Sequence, residues 1–409
     1  MLKRLIVTSW LAVFASAVFC LGEPVPGDCF REYVYAHRFG EIDPNSTRPG
    51  KQTDDMRAGA RRERALEIPS LGRATRAEVS VSYWGGHIGT SDQKFRINGG
   101  EWIAIPQPKN TPTPAQCYYR TILGRATVEV PLDQLKAGRN LFQFTAGPQT
   151  CYSFNWGFFW VYEFTVRLYY NAPEEVVGQI TSPTPGTAIG ENPRIAVKAG
   201  RSLTPITQVD VIGEYEDFNW EGDGVYRQWH YVVQRGQLRR HIGTAIQEPY
   251  EVTWDTTWVP DQDQPVRIAA RVTDADGSIY ITNPVSVTFK RQGRSVRLWK
   301  ASEVPRAFGV RVGSRKECRI IVDGDLSKAR AARLVLSTWS AAHAEEIGLN
   351  GEKLVDRVGL VHNYSFDSIP VPMRLLRSGH NVFHVFSNTK EHAAEINWPG
   401  PALLVEYGE

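Results

Sequence analysis

Cysteine is scarce, with five among 409 residues. Cys20 lies in an apolar N-terminal stretch, so Cys29, Cys117, Cys151 and Cys318 remain, too few to make a disulfide scaffold of a chain this long. One bridge is expected, between Cys117 and Cys151, because both flank the same strand and turn region. Charge of one sign is missing too. Lys and Arg number 47 against 44 Asp and Glu, a net charge of +3, which excludes a nucleic-acid surface, while 42% hydrophobic residues exclude general disorder. The sequence also lacks His-Glu-x-x-His, Gly-x-Ser-x-Gly, a Walker loop and Cys-x-x-Cys. Zinc protease, serine hydrolase and nucleotide-dependent chemistry therefore have no motif to stand on. Twelve Trp and 25 Pro indicate loop-rich β architecture instead.

One stretch occurs twice. Asn98-Gly99 is followed by Pro131-Leu132, Leu135, Gly138, Asn140, the alternating Leu141 to Phe144, and Asn155-Trp156. Asn350-Gly351 is followed by Pro372-Met373, Leu376, Gly379, Asn381, Val382 to Val385, and Asn397-Trp398. Upstream, Ala77, Val79, Val81 and Trp84 match Ala332, Leu334, Leu336 and Trp339. Ordered agreement of this kind marks a duplicated unit. Asn-Gly accepts the positive φ of a tight hairpin. The proline, unable to donate to a ladder, belongs where a strand or loop begins. The period-two run after Asn140 describes a half-buried strand. Each repeat therefore reads as an antiparallel β-sandwich.

On those residues the unit resembles the galactose-binding-like jelly roll, including the sugar-binding domain of family 2 glycosidases, over about two thirds of each repeat. Between the repeats, strand-like segments at Arg194 to Val197, Gln208 to Glu214, Tyr250 to Trp254, Pro265 to Thr273 and Ser278 to Phe289 resemble the small Ig-like modules of secreted bacterial proteins. Asp274 to Gly277 is a hairpin turn among them. The expected fold is all-β: two related jelly-roll β-sandwich domains separated by an Ig-like β-sandwich. Lys3-Arg4, an apolar run from Leu5 to Phe19 and Ala15-Ser16-Ala17 describe a secretory signal peptide, and the alternative is an uncleaved anchor. The expected organisation is residues 1–22 as signal, 23–172 as the first sandwich, 173–293 as the Ig-like module with a long insertion over 215–248, and 294–409 as the second repeat. Residues 23–72 read as polar and irregular, with a solvated basic run at Arg57, Arg61, Arg62 and Arg64.

The insertion holds the most suggestive chemistry. Asp217, Asn219, Glu221 and Asp223 place oxygen-bearing side chains at alternating positions, as a Ca²⁺ loop does. An EF-hand is excluded because Gln228 stands where the bidentate Glu belongs, leaving an irregular Ca²⁺ site or a solvated acidic turn. Trp220, Trp229 and His230 form either a stacking platform for a sugar ring or a plug onto the sandwich. In the last domain His343, Glu345, Glu346, His362 and Tyr364 fall in loops between strands that can converge at one end of a sandwich, for metal binding, proton exchange or ligand contact. His380 and His384 stand four apart on a strand, about 13 Å, and cannot share a metal. Their counterparts, Arg139 and Gln143, point to solvent-facing positions.

Two functions are consistent with these features. The first is a secreted, periplasmic or extracellular protein without catalytic activity that binds a glycan or cell-surface partner through Trp229, His230, His343, Glu346, His362 and Tyr364. It would need no nucleic acid or nucleotide, would make no stable membrane insertion after signal cleavage, and would have Ca²⁺ as its one candidate cofactor. The second is an extracellular carbohydrate-active enzyme, a glycoside hydrolase or polysaccharide lyase, with its site between sandwiches.

Overall fold

The computed structural model describes residues 24–37, 40–42, 63–85, 90, 92–106, 123–147, 159–171, 176–220, 222 and 224–408. Among them every regular element is a strand or a single 3₁₀ turn. No helix of the described residues is long and apolar enough to cross a membrane, which says nothing of a β-barrel. The expected signal segment, Cys117, Cys151, Trp156, Glu221 and Asp223 lie outside the described residues.

In the first sandwich, Arg76–Trp84 alternates as a strand must, turning Ala77, Val79, Val81 and Tyr83 into the core. It lies between Leu123–Val130 and Phe159–Tyr170, with Cys29–Tyr35 beyond the latter. The facing sheet runs Arg64–Ile68, Gly138–Thr145, Lys94–Ile97, Ile103–Ala104. Phe142 from that sheet meets Phe164 of the first at 4.4 Å between ring centroids, and each wholly buried ring contributes about 2 to 3 kcal/mol. The last sandwich repeats this strand order: Tyr364–Val371, Ala329–Trp339, Ala402–Gly408 and Arg294–Ser302 face Ser314–Val322, Gly379–Ser387, Glu346–Leu349 and Glu352–Val355.

The repeated asparagines explain the repeated sequence. Asn98 and Asn350 sit at φ 51° and 53°, followed by Gly99 at 75° and Gly351 at 87°. In that conformation Asn350 Nδ2 donates to Leu375 O (2.7 Å) and Asn381 Oδ1 (2.9 Å), while Val382 N–H donates to Asn350 Oδ1. Asn98 makes the same three bonds, to Gln134 O, Asn140 Oδ1 and from Leu141 N–H. Asn140 and Asn381 then cap the turns before their strands through Lys136 and Gly138, or Arg377 and Gly379. A two-asparagine hub thus ties hairpin, proline-led 3₁₀ turn and strand together in each sandwich.

The middle sandwich places Val176–Ser182, Arg194–Ser202 and Tyr250–Thr253 against Ile206–Glu216, Val266–Asp274, Ser278–Ile281 and Val285–Phe289. Its larger sheet does not stop at the first sandwich. Cys29–Tyr35 is hydrogen-bonded to Phe159–Tyr170 on one side and to Ser278–Ile281 on the other, so one sheet runs through both. The reading of 23–72 as irregular is therefore corrected at Cys29–Tyr35 and Arg64–Ile68. A charge disguised the first strand's period: Glu32 is an inward residue, held by Arg167 Nε and Arg271 Nη2 at 2.8 Å each. Arg167 also reaches Glu78, which accepts from the Tyr169 hydroxyl.

First and last sandwiches meet where their repeats end. Trp84 and Trp339, each closing the equivalent strand, stack at 5.1 Å and 16°. The Trp339 indole N–H donates to the Tyr162 hydroxyl. Both tryptophans are buried, 4% and 2% exposed, in a cluster between the two sandwiches rather than in the core of either, since the alternation that turns Tyr83 inward turns Trp84 outward.

Candidate functional site

The strand Arg227–His230 pairs with the end of Ile206–Glu216, and its alternation separates two neighbouring candidates. His230 turns into a cleft of about 290 Å³ between the middle and last sandwiches. Trp229 faces the other way, with Arg267 5.4 Å from its ring, against the apolar cluster around Phe30 and Tyr231. Of the two, only His230 belongs to the cleft.

The cleft floor is aromatic. Trp220, Trp254 and Trp258 line it with Tyr215, while Val335, Ser368 and Leu404 close it from the last sandwich. His230 Nε2 is 2.8 Å from Tyr215 O, and its ring lies 4.5 Å from the Tyr215 ring. The Arg240 guanidinium stands 3.3 Å over Trp220 and 5.3 Å from Phe366. Its backbone is at φ 63°, a conformation that costs a non-glycine residue about 1 to 3 kcal/mol. Surrounding structure must hold it there. Arg240 follows the two-stranded hairpin of Val232–Gln234 and Gln237–Arg239, and His230 precedes it.

Carboxylates complete the cleft. Asp217 accepts the Trp220 indole N–H at 3.3 Å. Burial lifts its carboxyl above the usual range, against the pull of His230, the Phe218 amide and Arg240. Asp255 goes the other way, held low by hydrogen bonds from the Thr257 hydroxyl and amide. His241, bonded to Thr244, is held low by burial despite Asp210 nearby. Indole rings, a guanidinium and carboxylates of opposite tendency thus line one concave surface.

The remaining candidates divide among four places. His343 and His362 do converge, at 6.1 Å between rings, with His392 4.3 Å from His362 and Trp339 beneath. His392 is held low by burial and by the two neighbouring imidazoles. Glu346 lies elsewhere, 2.7 Å from His384 Nε2. That contact corrects the solvent-facing reading of His384: the residue is wholly buried, covered by the Glu346–Leu349 strand, where a Cβ on Gly348 would sit 2.4 Å from the imidazole. Tyr364 is buried in the Trp84 and Trp339 cluster, its ring 5.0 Å from Tyr162, and burial raises its hydroxyl. Asn219 turns inward, bonding Gly224 N–H and Val225 O across its own loop at 2.8 Å each. Among the described residues no group of three His, Cys, Asp or Glu side chains is placed to hold a metal.

Sequence reasoning missed Arg240, Trp254, Asp255 and Trp258. The run Trp254-Asp255-Thr256-Thr257-Trp258 was a signal, two indoles flanking a carboxylate in a loop. Arg240 had none, since its role depends on a left-handed backbone and on the partner sandwich.

No protein-family model and no curated protein matches the chain. Among solved structures, it is similar to the fibronectin(III)-like modules of Clostridium thermocellum CbhA, at 17% identity over 28% of this chain and 96% of that one, with a TM-score of 0.18. A DUF4785 family protein from Legionella pneumophila aligns over 100% of this chain and 89% of its own at 9% identity and a TM-score of 0.25. A β-porphyranase of glycoside hydrolase family 86 from Bacteroides plebeius aligns over 53% of this chain at 12% identity and a TM-score of 0.21, and the alignment covers 34% of the porphyranase. Likenesses this distant carry no argument about the site.

Proposed function

We propose that the chain is a secreted, multi-module protein that binds a glycan, or a glycan-bearing cell-surface partner, in the cleft between its middle and last sandwiches. The observation that carries this is the lining of one cleft by indole rings together with Arg240, Asp217 and Asp255. A sugar's apolar face stacks on an aromatic ring while its hydroxyls take a few fixed polar partners. The resemblance of the two outer sandwiches to galactose-binding-like jelly rolls agrees with this reading. The test is a glycan array with the full chain, repeated on Trp258→Ala and Arg240→Ala. Binding lost on both substitutions, with the far-ultraviolet spectrum unchanged, supports the cleft. Binding unchanged in both sinks it.

A second reading is favoured by the opposed carboxyls. A raised acid and a lowered one in the same cleft is the division of labour that glycoside hydrolysis uses, one donating a proton and the other activating water or attacking. Reducing ends released from a polysaccharide, and abolished by Asp217→Asn or Asp255→Asn, would make the protein an enzyme. Calcium at the Asp217, Asn219, Glu221 and Asp223 turn is a separate proposal. It requires Asp217 to exchange its Trp220 contact for the ion, so chelation should then lower the melting temperature of wild type and leave Asp217→Ala unmoved.

A further inference from the structure

Glu163 stands where all three sandwiches meet. It lies on Phe159–Tyr170 of the first, paired across the ladder with Ser82. Its Oε2 accepts the backbone N–H of Gly236 at 3.1 Å, at the tip of the Val232–Gln234 and Gln237–Arg239 hairpin from the middle module. Tyr364 of the last sandwich adjoins it, within electrostatic reach of the carboxylate. The side chain is 3% exposed, and Oε1 has no hydrogen-bond partner among the described residues.

We propose that Glu163 is a positioning residue for the cleft: it anchors the tip of the hairpin whose two ends present His230 and Arg240, and loosens it on ionising. This rests on the reading of the cleft as a binding site. The Arg235 amide also donates to the carboxylate, and the tip packs against the strand beneath it. A Cβ on Gly236 would meet Ala36 at 3.2 Å, so glycine is what lets the turn lie against the Cys29–Tyr35 strand and the residue after it. Arg125 Nη1 donates to Tyr231 O at 2.9 Å and grips the base. From the base the chain passes directly into His230 on one side and Arg240 on the other.

The groups facing Glu163 set the direction. Arg125 comes from Leu123–Val130, Arg235 and the Gly236 amide from the hairpin, and Tyr364 from the last sandwich, while Ser82 carries no charge. Burial raises the carboxyl to about 7, more than the Gly236 amide and the two arginines lower it. A carboxyl raised in the folded state favours that state when protonated, and the advantage is lost as pH climbs from the ordinary value of 4.5 through 7. The hairpin is therefore tight at pH 5.5 and loose at pH 8.

Hydrogen–deuterium exchange of the hairpin in the full chain, corrected for intrinsic pH dependence, tests this without any ligand. Protection over 232–239 should fall about tenfold between pH 5.5 and 8 in wild type, within the roughly 30-fold that complete coupling of the shift allows over that interval. Glu163→Gln, which keeps the acceptor and cannot ionise, should hold the pH 5.5 level throughout. Glu163→Leu is the second variant, and its profile should likewise be flat. A flat wild-type profile, or the same fall in either variant that folds, overturns the proposal. If no glycan binds at any pH, the reading of the cleft fails while the exchange result stands. If an array-positive oligosaccharide binds more tightly at pH 5.5 than at pH 8 in wild type alone, hairpin and cleft are coupled.

Discussion

Replacing Asn381 tests whether the two-asparagine hub is what the repeated sequence encodes. Its side chain is wholly buried. Oδ1 accepts from Asn350 Nδ2 and Arg377 N–H at 2.9 Å, and Nδ2 donates to Arg377 O at 2.7 Å and Gly379 O at 3.2 Å. Leucine has the same branching and number of side-chain heavy atoms, so Asn381→Leu leaves no cavity but removes all four bonds. A typical internal bond contributes about 1 kcal/mol net, and a buried group left unpaired costs about 1 to 3 kcal/mol. The turn carbonyls can reach water more readily than the Arg377 amide, so about 3 to 4 kcal/mol is expected. For a sandwich of this size that lowers the melting transition by roughly 10 °C. Asn350→Gly keeps the left-handed turn and deletes only the amide. Both changes together should cost less than their sum by about 1 to 2 kcal/mol, since each already breaks the shared bond. Strict additivity in calorimetry, or a loss below about 1 kcal/mol for Asn381→Leu, would refute the hub.

Three further outcomes are expected. Trp84→Ala removes one half of the stack between the outer sandwiches at a cost of about 3 to 5 kcal/mol, and calorimetry should resolve the first and last sandwiches into separate transitions; one unshifted transition refutes this. Burial alone would raise Glu32, but Arg271 and Arg167 more than offset it and hold the carboxyl down at about 2; its contribution of about 3 kcal/mol is present above pH 4.5 and lost as pH falls through 2, so Glu32→Gln should flatten the acid limb of a urea midpoint against pH profile. Burial pushes the Cys318 thiol well above its ordinary range, so native protein at pH 8 should leave Cys318 unalkylated by iodoacetamide until denaturant is added.

The all-β architecture and the repeated Asn-Gly hairpins were legible because local chemistry dictates them: Asn-Gly tolerates positive φ and proline opens a strand. The hub was not, since the bonds from Asn98 to Asn140 and from Asn350 to Asn381 depend on how hairpin and 3₁₀ turn meet. Alternation after Tyr83 and Leu336 puts Trp84 and Trp339 on the outer faces of their strands, but their pairing was not legible, since stacking depends on how two sandwiches meet. Residues whose role is set by a distant element escaped. His384 read as solvent-facing by analogy with Gln143, yet Gly348 lets a neighbouring strand close over it. Trp229 and His230 read together as either a platform or a plug, although period-two alternation alone puts them on opposite faces, Trp229 packing onto the cluster around Phe30 and His230 entering the cleft. The Cys29–Tyr35 strand was hidden by Glu32, an inward charge whose two arginine partners lie more than a hundred residues away.

Each pair of sandwiches is joined by a different kind of contact, and the differences bear on the cleft. First and middle share a continuous sheet and the buried Glu32, Arg167 and Arg271 network. Removing one member would strand a buried charge at a cost of about 3 to 5 kcal/mol, so that junction is held in one register. First and last share the Trp84 and Trp339 stack with the Tyr162 bond, an apolar contact with fewer directional constraints. Middle and last enclose the cleft, where Trp220 meets Phe366 edge-on at 5.8 Å and Arg240 lies over both. Because the first sandwich touches both walls, it fixes how far apart they stand. Substitutions at the Trp84 stack should therefore change affinity in the cleft without touching a cleft residue, and by more than equally destabilising substitutions in the core of the first sandwich. Ligand titrations of Trp84→Ala and Phe142→Leu at equal fraction folded separate the two, and equal affinities would mean the walls are set by the middle and last sandwiches alone.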